Sequence, residues 1–188
     1  RLLVVALLAA QAQAQGPRSY IVGGQEARPP GKYPWQGSLQ VVPLLGSPWH
    51  NCGCVYIGGK YALTAAHCVD NTNPDRLRVV LGAHDLETEL EGKPEYFNVT
   101  SATQNPDWSN TPALGFPNDV AVLELDKVPS EDNVFIQAIA VPDPDRNEED
   151  WVDQNCMITG WGRLTGGGDL PNMLQEADID VLLQPDCQ

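Results

Sequence analysis

The 188 residues suit one or two small domains with a real core, and 42% hydrophobic content with 17 Gly and 16 Pro points to a globular chain rich in turns. A formal charge of −14 and a pI near 4.3 exclude nucleic acid as a partner, because phosphates demand a basic face. The same acidity suits a soluble protein that repels anionic surfaces.

In chain order, Arg1 precedes the apolar block Leu2 to Ala10, which is too short to span a bilayer, and small-residue sites follow at Ala10-Gln11-Ala12 and Ala12-Gln13-Ala14. Residues 1–14 therefore read as a secretory signal peptide. No other stretch is apolar enough for a transmembrane helix, so no membrane association is expected once the signal is removed. Short punctuated aliphatic runs then favour antiparallel strands at Gln36 to Val42, Asn51 to Ile57, Tyr61 to Ala66, Leu77 to Leu81, Glu95 to Thr100 and Val120 to Leu125. Turns every ten or so residues suit a small closed all-β barrel. Asp70 to Asp75 and Asn105 to Asn118 are rich in Asn, Asp and Pro and read as surface loops. Pro142 to Asp153 is a strongly acidic connector, and Leu174 to Leu183 alternates as a half-buried strand beyond it.

Leu63-Thr64-Ala65-Ala66-His67-Cys68 places one imidazole beside a cysteine at the end of an apolar run. Histidine titrates near neutrality, so His67 is a candidate general base. Exported chains carry disulfides, yet the cysteine count of five is odd. Two strands joined by the Gly58-Gly59 turn would bring Cys52 to Cys68, the favoured pair. Cys54 is left open between a free thiol, a bridge to Cys68 and an extra pair. Asn98-Val99-Thr100 is an N-glycosylation sequon, making Asn98 a candidate acceptor.

Six pieces occur in a familiar order: Ile21-Val22-Gly23-Gly24, Pro34-Trp35-Gln36, His50-Asn51-Cys52-Gly53, Thr64-Ala65-Ala66-His67-Cys68, Asn118-Asp119-Val120-Ala121-Val122-Leu123 and Thr159-Gly160-Trp161-Gly162. Together they resemble the chymotrypsin family of serine endopeptidases. The resemblance implies two antiparallel six-stranded β-barrels of chymotrypsin type, the second incomplete in this chain. It divides the chain into residues 15–20 as a propeptide and 21–188 as a peptidase domain. Within that domain the first barrel runs to about 133, a connector covers 134–155 and a partial second barrel covers 156–188.

The resemblance also implies the chemistry. His67 would act as base and Asp119 as the carboxylate that orients it, with Thr64 donating a further hydrogen bond to Asp119. A charge heading the apolar run from Val120 would cost several kcal/mol if unpaired, and the His67 ring N–H would offset that cost. His50 reads as structural. Ile21 would become the activated N-terminus, although Tyr20 stands where relatives carry Arg or Lys. That residue leans toward chymotrypsin-like specificity and self-type activation, with elastase-like or trypsin-like specificity as alternatives.

His84 falls in a loop that binds calcium in some relatives, but Ala83 replaces a ligand there, so the loop reads as solvated and acidic with no metal. Cys54 stands at a usual glycine. Cys156 and Cys187 would pair with cysteines beyond the chain. None of Ser19, Ser38, Ser47, Ser101, Ser109 and Ser130 has a Gly-Asp-Ser-Gly-Gly setting, so the nucleophile is expected beyond Gln188. The reading calls for no cofactor, a monomer, and protein or peptide substrates, with an activating protease as a candidate partner. The rival is a non-catalytic binding homologue.

Overall fold

The computed structural model describes residues 21–88, 90–111, 115–143, 145, 148–152, 154–165 and 168–181. The signal and propeptide assignments to residues 1–14 and 15–20, and the assignment for Cys187, lie outside these residues. The described strands are β1 (Gln25–Glu26), β2 (Gln36–Val41), β3 (Trp49–Gly58), β4 (Tyr61–Thr64), β5 (Leu77–Ala83), β6 (Gly92–Gln104), β7 (Ala121–Leu125), β8 (Asn155–Gly160) and β9 (Gln175–Asp180). Short 3-10 turns supply the described helical geometry, and no helix among the described residues is long and apolar enough to cross a membrane.

Strands β2 to β7 close into a barrel in the order β2-β3-β4-β7-β6-β5, antiparallel throughout. The alternation of β7 explains which side faces in. Ala121, Leu123 and Leu125 are buried, while Val122 is 39% exposed. Phe97 and Val99 of β6 meet them from the neighbouring strand, and Leu39, Val79 and Leu81 complete the core. At the turn from β3 to β4, Gly58 and Gly59 take φ of 110° and 56°, a conformation that side chains resist.

Strand β2 departs from simple alternation, because Gln36 through Gln40 is buried on both faces. Its polar groups are paired. Gln36 accepts from Thr159 Oγ1 at 2.7 Å, and Arg78 Nε donates to Gln40 Oε1 at 2.7 Å.

A second, three-stranded sheet runs β1-β9-β8. The segment just after Ile21 thus pairs with late residues, Gln25 opposite Glu176, and not with the barrel that follows it in sequence. Glu176 is buried and receives Lys32 Nζ and Tyr33 Oη, each at 2.6 Å. Lys32 and Tyr33 hold its carboxyl below the ordinary carboxylate range, and the Lys32 ammonium is raised in turn. Trp161 fills the small core here with Ala27 and Leu174. Its Nε1 donates to His84 O at 3.1 Å, which ties the sheet to the barrel.

Candidate functional site

β4 and β7 are neighbours, with Thr64 opposite Ala121. Because they run antiparallel, β4 leaves the barrel where β7 enters it, and His67, three residues on, meets Asp119, two residues earlier. Ala65 is extended and a 3-10 turn spans Ala66–Cys68. Asp119 precedes β7 and follows Asn118, whose φ of 58° is one that asparagine tolerates. Both carboxylate oxygens are engaged by one residue: His67 N donates to Oδ1 at 2.8 Å and His67 Nδ1 lies 2.6 Å from Oδ2. A carboxylate only accepts, so the ring proton sits on Nδ1 and Nε2 carries the lone pair. Each of the two side chains is 25% exposed, shielded yet reachable.

The turn is held from other sides as well. Cys68 forms a disulfide with Cys52, with Cα atoms 6.2 Å apart. Gln104 Nε2 donates to Ala66 O at 3.0 Å. Thr64 does not reach Asp119; its hydroxyl donates to Gly53 O at 2.8 Å. The reason lies in the register. β3 pairs with β4 only from Val55 opposite Leu63, so the Gly53 carbonyl faces no β4 amide and takes the hydroxyl instead. Gly53, Thr64 and Asp119 line an open pocket of about 350 Å³ together with Gln36 and Thr159.

Ile21 is buried, its amide donating to Arg163 O at 2.9 Å, beside a cavity of about 360 Å³ that it shares with His50, Gly160 and Trp161. His50 is hydrogen-bonded to Ser38 Oγ at 2.7 Å and sits edge-on to Trp161. Burial pushes its imidazole down to about 4. Unfolding restores an ordinary histidine, so the unfolded chain binds the extra proton between about pH 6.5 and 4. The stability His50 contributes is complete above 6.5 and is lost as pH falls through this window, with a slope of at most about 1.4 kcal/mol per pH unit. Denaturant titrations across pH 4–7 should show that slope in the wild type and a shallower one in His50→Gln; equal slopes would remove the claim.

Other candidates fall elsewhere. His84 and Asp85 are 1% and 3% exposed, so the start of the loop expected to be solvated is buried, while Glu87, Thr88 and Leu90 beyond it are exposed. Asp85 is buried because it accepts the Glu87 and Thr88 amides and the Thr88 hydroxyl, and these bonds hold its carboxyl below the usual range. Glu26, His84 and Glu91 converge closely enough to bracket a metal ion, but Arg28 already reaches Glu26 at 2.7 Å and Glu91 at 2.5 Å and supplies the balancing charge. Asn98 is exposed on β6, its Nδ2 donating to Asp126 Oδ2 at 2.8 Å. Among the described residues Cys54 is a buried free thiol pushed up to about 12 by burial, and Cys156 has no disulfide partner there. The space for Cys54 comes from Gly37, the residue opposite it on β2.

Sequence reasoning missed Gln104 and Gly37. A donor at the end of β6 carries no motif, and a glycine matched to a cysteine shows only once the register is known.

Three comparisons extend the geometry. The profile of the family described as Trypsin matches residues 21–188. Fibrinolytic enzyme, isozyme C, of Lumbricus rubellus is 35% identical over 167 residues, covering 89% of this chain and 65% of the relative. Chymotrypsin-like elastase family member 1 of Macaca fascicularis is 36% identical over 162 residues, covering 84% and 56%. The chain thus spans less than two thirds of either relative. Among solved structures, human heparin binding protein superposes with a TM-score of 0.73 at 26% identity, covering 89% of this chain and 69% of that one.

Proposed function

Because the chain belongs to the trypsin family of serine proteases over residues 21–188, we propose that His67 and Asp119 are the base and orienting carboxylate of a secreted serine endopeptidase. The observation that carries this reading is the double engagement of one carboxylate by the His67 amide and ring. It leaves Nε2 free of the ring proton, and Nε2 can therefore take the proton of an attacking hydroxyl. In the first half-reaction, serine oxygen bonds to the peptide carbonyl carbon while its proton passes to Nε2; the C–N bond then breaks and the amine leaves with that proton. Water repeats the sequence on the acyl ester and restores both serine and neutral His67. The serine itself is expected after Gln188.

We further infer a precursor activated by cleavage before Ile21, with chymotrypsin-like preference favoured by Tyr20 and elastase-like preference next. The Cys52–Cys68 disulfide supports an oxidising, extracellular setting. The substrates are proteins or peptides. A binding homologue is the second reading, favoured by the likeness to human heparin binding protein. Against it stand the His67–Asp119 pair, which a binding surface does not need, and the charge of −14, which repels a polyanion.

Reading the coding sequence past Gln188 separates the two. A Gly-Asp-Ser-Gly-Gly segment, with fluorophosphonate labelling of the encoded protein after cleavage before Ile21, supports the peptidase. A replaced serine, or no labelling after that cleavage, overturns it.

A further inference from the structure

We propose that Gln104 is a positioning residue for His67, a reading that rests on His67 being the base. The carbonyl of Ala66 and the amide N–H of His67 belong to one planar peptide group. The structure holds that plane at both ends: Gln104 Nε2 donates to Ala66 O at 3.0 Å, and His67 N donates to Asp119 Oδ1 at 2.8 Å. In a trans peptide the carbonyl and the N–H point in opposite directions, so fixing one end fixes the direction of the other.

Gln104 closes β6, and Asp119 leads into the adjoining β7. Gln104 ends β6 opposite Ala121, two residues after Asp119, and Asn105 N donates to Val120 O at 2.9 Å. The β6–β7 pair therefore grips the turn through one neutral donor and one carboxylate. The grip sets which way the Asp119 carboxylate is rotated. With Oδ1 committed to the peptide N–H, Oδ2 is delivered to Nδ1 at 2.6 Å. Donation into the carbonyl also polarises the peptide and strengthens its N–H as a donor. Without Gln104, Ala66 O keeps only the amide of Val69, at 3.1 Å within the same turn. That bond cannot resist rotation of the turn as a whole.

The test uses the full chain and needs no turnover. The His67 ring Nδ1 proton, bonded to a carboxylate, gives a far-downfield proton NMR signal, and exchange of the His67 amide with D₂O reports the other end of the clamp. In Gln104→Met, which keeps the length and removes the donor, the ring signal should broaden or move upfield. The His67 amide should exchange about tenfold faster or more, while the Phe97 amide in the barrel core keeps its rate. Gln104→Lys, whose ammonium can reach the same carbonyl, should restore both. If Gln104→Met does not fold, Gln104→Asn, too short to reach Ala66 O, is measured in its place with the same expectation. An unchanged ring signal and His67 exchange rate in the variant overturns the proposal. Absence of the downfield signal in the wild type overturns instead the pairing of His67 with Asp119.

Discussion

Replacing Asp119 by asparagine in the serine-bearing protein should lower kcat by about 10⁴-fold with little change in stability, the scale seen for the same change in a protease triad. The cause is tautomeric. Asp119 presents two acceptors, one to the His67 amide at 2.8 Å and one to its ring at 2.6 Å. An asparagine in the same pose has one acceptor and one donor. If its oxygen keeps the backbone N–H, its NH₂ faces the ring and forces the proton onto Nε2, where a base is no longer available. Because the shape is unchanged, KM should hold. Steady-state kinetics alongside thermal unfolding checks both halves: a kcat within tenfold of wild type would mean that Asp119 does not set the tautomer, and a collapsed fold would mean that its role is structural.

A large stability effect is expected at Gly37. A Cβ there would lie 2.6 Å from Cys54 Sγ and 2.7 Å from a Leu81 methyl, closer than real contacts allow. Gly37→Val should therefore cost roughly 3 kcal/mol, read as a fall in melting temperature of about 6–12 °C. Cys54→Gly alone should also destabilise, by leaving a void in a closely packed wall. Combining the two exchanges which strand carries the bulk, so the double variant should recover the part of the loss that comes from Cys54 Sγ, while the contact with the Leu81 methyl persists. Simple additivity of the two penalties in a double-mutant cycle would show that Gly37 and Cys54 do not share one volume. The pairing also accounts for an unbridged thiol in a disulfide-bearing chain. Cys54 is enclosed, its thiol is pushed up to about 12, and its sulfur fills space that the opposite residue vacates.

These results bear on what the amino-acid order reveals. Barrel strands such as Val120 to Leu125 are legible because alternation is local, and the structure places β7 at Ala121–Leu125. His67 and Asp119 are legible as residues because each sits in a short motif, but what brings them together is the β4–β7 register, which no single stretch encodes. Thr64 shows the same limit. Its hydroxyl had two acceptors within plausible reach, and the point at which β3 stops pairing with β4 decided for Gly53. The loop after Asp85 is exposed at Glu87, Thr88 and Leu90 as its charges suggest, whereas the bonds that hold Asp85 inside depend on backbone turns. β2 reads as an ordinary strand although it is covered on both faces, since Gln36 reaches Thr159 on the second sheet and Ser38 reaches His50 on β3, pairings that no local pattern shows.

The pairing of β1 with β9 has a consequence for how the chain is made. Gln25 and Glu176 are 151 positions apart, so at ordinary ribosomal speeds of about 5–20 residues per second the second partner is synthesised roughly 8–30 s after the first. Every barrel strand from Gln36 to Leu125 is translated within that interval, and barrel closure takes far less time than the wait. Strand β1, with buried Ile21 just ahead of it, must therefore dock last, onto a barrel already built. That segment is therefore the one that nascent-chain proteolysis should find open longest.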